Sequence, residues 1–349
     1  MTLEVNPHIH KLKSPMLRGF LFLALFLLSA CQNKKELILV NNQGFTQGTT
    51  YFISYRSKAG KNFHTEVKKV LGIVDSTLNT YVPFSEASKF NTNDSTFTYN
   101  PHFNFVLKAA LKVAAESGGK FDPTLGVITQ AWGFQAEKAS SVPPKLVDSL
   151  MTCVGYNKIY FDSLNRAVKA DACLLLDFNA IAQGYTVDLI AKALEEKGVE
   201  HYMIEVGGEV KARGLNSKNE LWRIGVDKPV EQRDESHLQA IISLDNQALA
   251  TSGNYRKFKV DSLTGMKYSH STNALTGYPE TNNLLSVSII HESCMYADAY
   301  ATACMLMGLE KARDFVKRRP DIQAYFIYSD HKGDWKTWKT DGFQIKELE

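Results

Sequence analysis

From Tyr202 to Ile290 the sequence offers one strand-like segment after another, with no helix-length periodic segment between them. The runs are Tyr202–Val206, Trp222–Val226, Leu238–Leu244 and Leu284–Ile290. Parallel neighbours need a crossover of a dozen or more residues, usually a helix. Strands that follow one another directly exclude a doubly wound parallel sheet. The chain is expected to be α+β: mixed, largely antiparallel sheets with packed helices. Thr50–Tyr55 suits a further strand, as does Ala324–Tyr328, after which Asp330–Gly333 reads as a turn into a short last strand.

Helices are predicted before and after this block. Val67, Val70, Leu71, Val74 and Leu78 recur at helical spacing, so Thr65–Asn79 is amphipathic. A second helix covers Phe105–Ser117 and stops at Gly118-Gly119. Val187, Ile190, Ala191 and Leu194 define a third, closed by Gly198, and Ala297–Met307 a fourth. No fixed-period repeat is present. Ser140–Lys145 is the clearest loop, and a single two-lobed domain suits the chain better than two independent ones.

The first 30 residues read as a targeting segment. Lys11, Lys13 and Arg18 precede an apolar run from Phe20 to Leu28, too short to span a bilayer comfortably, and small residues lead to Cys31. Leu28-Ser29-Ala30-Cys31 looks like a lipobox, with Cys31 as the lipid-bearing first residue of the mature chain. Residues 31–42 are then a lipidated tether and 43–349 the folded body, with Met16 a second candidate start. A lipid there would anchor the protein. Without its basic leader the body is close to neutral, which gives no electrostatic footprint for nucleic acid. Four cysteines remain, Cys153, Cys173, Cys294 and Cys304, with no CxxC pair. Disulfide or small core residue is open for each.

Several short stretches carry chemistry. Glu205–Glu209 and Thr251-Ser252-Gly253-Asn254-Tyr255 are glycine-bearing stretches whose backbone N–H groups can approach a pyrophosphate or a ring, although each alone is better explained as a turn. Asp298 and Thr302 lie four apart on a helix and present two hard oxygens to one side, a pattern suited to Mg²⁺ rather than zinc. Alone, Asp298 also fits a helix-start residue. Asp177 breaks an apolar run into a small-residue turn before the third helix, where it could accept from a ligand or cap the helix. His270 sits in a glycine-closed loop and could take a proton from a hydroxyl near neutral pH.

The order of these stretches resembles the FAD:protein FMN transferase (ApbE) family over nearly all of the body. The matching strings are Gln47-Gly48-Thr49-Thr50, Leu78–Tyr81 with Ser85-Glu86 and Phe90-Asn91, and Phe121–Gly126 leading to Trp132-Gly133-Phe134. They continue with Asp177–Asp188, Val206-Gly207-Gly208, Thr251-Ser252-Gly253, His270–Gly277 and Ala297-Asp298 to Thr302. The resemblance implies that Asp298, Thr302 and the Ala180 carbonyl bind Mg²⁺. It implies that FAD is held by Gln47, Tyr81, Lys120, Phe121, Asp122, Asp177, Gln183 and Thr272, and that His270 is the base.

Two positions depart from the family pattern. Gln183 stands where the family usually has Lys or Glu, and His270-Ser271-Thr272-Asn273-Ala274 lacks the family's acidic residue, with Asn273 in its place. The reaction implied is Mg²⁺-assisted attack of a Thr or Ser hydroxyl on FAD, which leaves FMN on the acceptor protein and releases AMP. The acceptors implied are subunits of membrane redox complexes, reached by a lipid-anchored protein facing the periplasm. The same parts with water as nucleophile would make an FAD pyrophosphatase. A flavin carrier without catalysis would need neither base nor metal.

Overall fold

The computed structural model describes residues 36–94, 97, 99–133, 142–229, 238–253, 258–260, 267–269 and 272–347. The leader, Cys31 and His270 lie outside those residues. Eight strands of the main sheet are numbered here in chain order: β1 (Leu37–Thr46), β2 (Thr49–Lys58), β3 (His201–Val206), β4 (Glu209–Arg213), β5 (Gln247–Gly253), β6 (Leu284–His291), β7 (Gln323–Ser329) and β8 (Trp335–Lys339). Their order across the sheet is their order in the chain. Every pair from β2–β3 to β7–β8 is antiparallel, as a chain with few crossover helices requires.

Eight helices are described: α1 (His64–Thr77), α2 (Glu86–Asn91), α3 (Pro101–Glu116), α4 (Gly126–Ala131), α5 (Pro144–Met151), α6 (Ala182–Glu195), α7 (Cys294–Met307) and α8 (Leu309–Lys317). Six of them lie in the one long excursion between β2 and β3. None is long and apolar enough to cross a membrane, among the described residues.

One face of the sheet is covered by helices. Ile53, Tyr55, Tyr202 and Ile204 of β2 and β3 pack with Val187, Ile190 and Leu194 of α6. Ala250, Val287 and Ile289 of β5 and β6 pack with α7 in a larger core that also takes in α3. The other face is covered by a three-stranded antiparallel sheet, ordered Ile345–Glu347, Leu238–Leu244, Trp222–Asp227. Val210, Leu249, Ile290 and Tyr325 meet Trp222, Ile242 and Leu244 there. The architecture is the α+β, largely antiparallel one expected, and residues 38–349 form one compact unit.

Some boundaries differ from those read in the sequence. The second helix starts at Pro101 rather than Phe105, because the Asn100 side chain caps it by accepting from His102 N–H and proline fits its first position. The strand β1 takes in residues 37–42, part of the tether expected over 31–42; a half-exposed edge strand shows only weak alternation and carries little signal in the sequence. Thr251-Ser252-Gly253 is the end of a strand rather than a turn between strands. Cys153 and Cys173 form a disulfide, and Cys294 and Cys304 are buried thiols.

Candidate active site

The helix α7 is buried almost all round, as its sequence of alanines, methionines and cysteines demands. Asp298 is its one charged residue and is buried itself, 6% exposed. A carboxylate in such a place is costly unless compensated. The only hydrogen bond it receives among the described residues is from Gly184 N–H, to Oδ2 at 3.1 Å. Burial pushes its pKa up to about 7, against which the Gly184 bond works. One turn on, the Thr302 hydroxyl lies 3.0 Å from Ser252 Oγ at the end of β5.

Gly184 explains why Ala180 belongs to the same place. In an unbroken helix the Gly184 N–H would bond to the carbonyl four residues earlier, that of Ala180. It bonds to Asp298 instead, and no donor among the described residues takes up the Ala180 carbonyl. The sequence therefore brings a buried carboxylate and an open carbonyl to one N–H group. The approach is close: a Cβ on Gly184 would lie 2.3 Å from Cys294 O and 2.9 Å from Asp298 Cβ.

The two helices cap each other. Asp298 of α7 accepts from the first turn of α6, whose N–H groups have no partners within the helix. Asp188 of α6 accepts from Cys294 N–H at 3.1 Å and Met295 N–H at 3.0 Å, the first turn of α7, and from Ser293 Oγ at 2.7 Å. Lys211 from β4 completes the set at 2.8 Å. Asp188 and Gly184 were not singled out in the sequence; a cap supplied by another helix leaves no local signal.

Two hairpin turns lie beside the start of α6. Gln47 and Gly48 join β1 to β2 with φ of 49° and 72°, a turn that matches strand twist but puts a non-glycine residue in the left-handed region. The Gln47 side chain donates to Thr186 Oγ1 at 2.7 Å, which donates in turn to the Ala182 carbonyl at 2.8 Å. Gly207 and Gly208 join β3 to β4, and Gly207 N–H donates to the Thr50 carbonyl at 3.0 Å. Gln183 lies against this turn: a Cβ on Gly207 would be 2.9 Å from its Nε2. Glu205 accepts from Gly208 N–H at 2.7 Å, and burial raises its pKa.

On the far flank, Asp177 accepts from Thr129 Oγ1 at 3.0 Å and Asn179 N–H at 2.8 Å, and burial raises its pKa. Tyr81 stands over this turn, half exposed, its hydroxyl accepting from Asn179 Nδ2 at 3.3 Å. Asp122 uses both carboxylate oxygens within the protein, on Thr124 N–H and Oγ1 and on Tyr156 N–H. Phe121 packs in the core. Together they shape this loop. Thr272 has a buried hydroxyl with no partner among the described residues.

Asn273 accepts from Leu275 N–H and donates to Glu280 Oε2 at 2.7 Å, and Lys120 Nζ stands 3.6 Å from that same oxygen. An aspartate at 273 could not donate to Glu280. The departure at this position therefore has a physical counterpart in Glu280, which the sequence reading passed over. The ring of Trp132 fixes the loop's end by donating to the Gly277 carbonyl at 2.8 Å.

The structure thus gathers Gln47, Gln183 and Asp298 around the start of α6, with Ala180, Asp177 and Tyr81 at the turn before it and Thr302 one turn along α7 from Asp298. No cluster of three or more His, Cys, Asp or Glu suited to a metal exists among the described residues, so an ion here would rest on one carboxylate with neutral oxygens.

The model of the ApbE family matches residues 47–326. The FAD:protein FMN transferase of Vibrio cholerae is 35% identical over 298 residues, 82% of this chain and 86% of its own. That of Haemophilus influenzae is 30% identical over 332 residues, 91% and 94% of the two chains. Among solved structures, the flavin transferase ApbE from Vibrio cholerae superposes with a TM-score of 0.79 at 32% identity, covering 88% of this chain and 98% of that one. The apo flavinyl transferase ApbE of Pseudomonas stutzeri gives 0.76 at 30% identity, covering 88% and 96%.

Proposed function

Because the chain belongs to the ApbE family, we propose that it transfers the FMN half of FAD to a Thr or Ser hydroxyl of an acceptor protein and releases AMP. The reading rests on one observation above the others: relatives named for this transfer match it over most of both chains. It is an enzyme of flavin transfer, as they are.

The residues around Asp298 suit Mg²⁺. Among the described residues, a buried carboxylate with one N–H partner, a neighbouring hydroxyl and an unbonded carbonyl are the oxygen donors such an ion takes, with substrate phosphate and water completing the shell. Asp298, Thr302 and Ala180 would hold it. Bound there, it would neutralise the charge of the FAD pyrophosphate. Gln47, Tyr81, Lys120, Asp177, Gln183 and Thr272 would position the flavin nucleotide, with Phe121 and Asp122 fixing the loop beside it. In this reading His270 takes the proton of the acceptor hydroxyl. That oxygen forms a bond to the FMN phosphorus while the bond from phosphorus to the AMP oxygen breaks.

The acceptor in this proposal is a subunit of a membrane redox complex, and the enzyme is held beside it by lipid on Cys31, facing the periplasm. Cys31→Ala is expected to move the protein from the membrane to the soluble fraction or leave an unprocessed precursor; normal retention would overturn the anchor. The activity is tested with FAD, Mg²⁺ and a candidate acceptor. Flavin fluorescence on the denatured acceptor, with AMP formed in equal amount, is the expected result. AMP without labelling would make the protein a pyrophosphatase, and unchanged FAD would overturn catalysis altogether.

A further inference from the structure

The face of β5 that meets α7 carries Ala248, Ala250 and Ser252 in alternation. Small side chains let the helix lie close, and alanine at the third position would pack as well as serine. The hydroxyl of Ser252 therefore needs another reason. Its partner is the Thr302 hydroxyl, at 3.0 Å, the last polar side chain on α7.

We infer that Ser252 is a positioning residue that accepts the Thr302 hydroxyl proton and so turns a Thr302 lone pair toward the cation. The inference rests on the metal reading given above. A hydroxyl has one proton and two lone pairs, and only a lone pair can face a cation. The proton must then point elsewhere, onto an acceptor fixed in place. Ser252 is fixed by the sheet, where it stands opposite Val287 in the β5–β6 register. The neighbouring pair, Thr251 with Ser288, is bonded at 2.8 Å on the opposite face and has no part in this orientation. Partners that orient a metal ligand are commonly worth tenfold or more in metal affinity.

The test uses Mn²⁺ as probe ion, its free fraction read by electron paramagnetic resonance in the absence of FAD. Ser252→Ala is expected to weaken Mn²⁺ binding by about tenfold, with thermal stability close to that of the parent, and Ser252→Thr to restore it. In a Thr302→Val background, Ser252→Ala should cost nothing further, because there is no hydroxyl left to orient. If Ser252→Ala binds Mn²⁺ as tightly as the parent, or loses equally in both backgrounds, the positioning role is overturned while the metal site stands. If the parent binds no Mn²⁺ either alone or with FAD added, both fall.

Discussion

Gly184→Ala sets two well-known effects against each other. In a helix interior alanine is favoured over glycine by about 1 kcal/mol, from lower backbone entropy in the unfolded chain. At Gly184 the new methyl would lie 2.3 Å from Cys294 O and 2.9 Å from Asp298 Cβ, so α7 must retreat by roughly 1 Å to reach ordinary contact. Overpacking of this kind costs about 1–3 kcal/mol. The retreat also stretches the 3.1 Å bond to Asp298, and a hydrogen bond to a charged group is worth about 1.5–3 kcal/mol. The net expectation is a loss of about 1.5–5 kcal/mol once the alanine gain is subtracted, the upper end applying only if the bond is lost outright. Gly72 of α1 is the control: a Cβ there meets nothing within 4 Å, so Gly72→Ala should stabilise by up to about 1 kcal/mol. Urea unfolding followed by circular dichroism reads both. Should Gly184→Ala behave like Gly72→Ala, the helix crossing is not as close as described and Asp298 is not held by it.

Asp298→Asn keeps the volume but removes the charge, and should abolish FMN transfer. In Mg²⁺-free buffer the raised pKa of about 7 means that the parent loses stability as pH rises from the unfolded value through 7. The amide does not titrate, so the variant's advantage in melting temperature should be larger at pH 8.5 than at pH 5; equal differences would remove the titration from Asp298. Asn273→Asp, although acidic as in the family pattern, should lower the melting temperature, because it sets a carboxylate against Glu280 where a 2.7 Å hydrogen bond was. Adding Glu280→Gln should recover the loss, and failure to recover would show that the two do not interact. Replacing both Cys153 and Cys173 by serine opens a loop whose ends are 20 residues apart and should cost about 3 kcal/mol in denaturant unfolding. A variant as stable as the parent would make the bridge energetically idle.

The sheet and the longer helices were legible because burial writes a period into them. The helix α1 was readable from five apolar positions, four of them buried in its interior and Leu78 just past its end. The strand β3 was readable from the alternation of Tyr202, Ile204 and Val206, which bury one face, and β6 from a largely apolar run that the sheet buries on both faces. Elements with little to bury were not. The edge strand β1 shows one face to solvent along much of its length, and the pair Ile159–Phe161 and Ala167–Lys169 is three residues each. The disulfide was undecidable for a different reason. Cys153 sits after α5 and Cys173 before the Asp177 turn, and only the folding of both onto the Asp122 loop brings their Cα atoms to 5.6 Å.

For the site, sequence order supplied the residues but not the logic that joins them. Asp298 and Thr302 could be paired by helical spacing, whereas Ala180 could only be carried over by resemblance. The link between them is the Gly184 N–H, which leaves its own helix to bond with Asp298 and so opens the Ala180 carbonyl. That exchange requires α6 and α7 to touch, and touching requires glycine at 184 and small residues along the facing strand. Asp188 then holds the start of α7 as Asp298 holds the start of α6. Each carboxylate meets the unpaired N–H groups of the other helix, so neither helix can slide without uncapping both. The cost of burying Asp298 is thus part of the site's rigidity: the fold fixes the carboxylate, compensates it among the described residues with one N–H, and burial holds its pKa up at about 7.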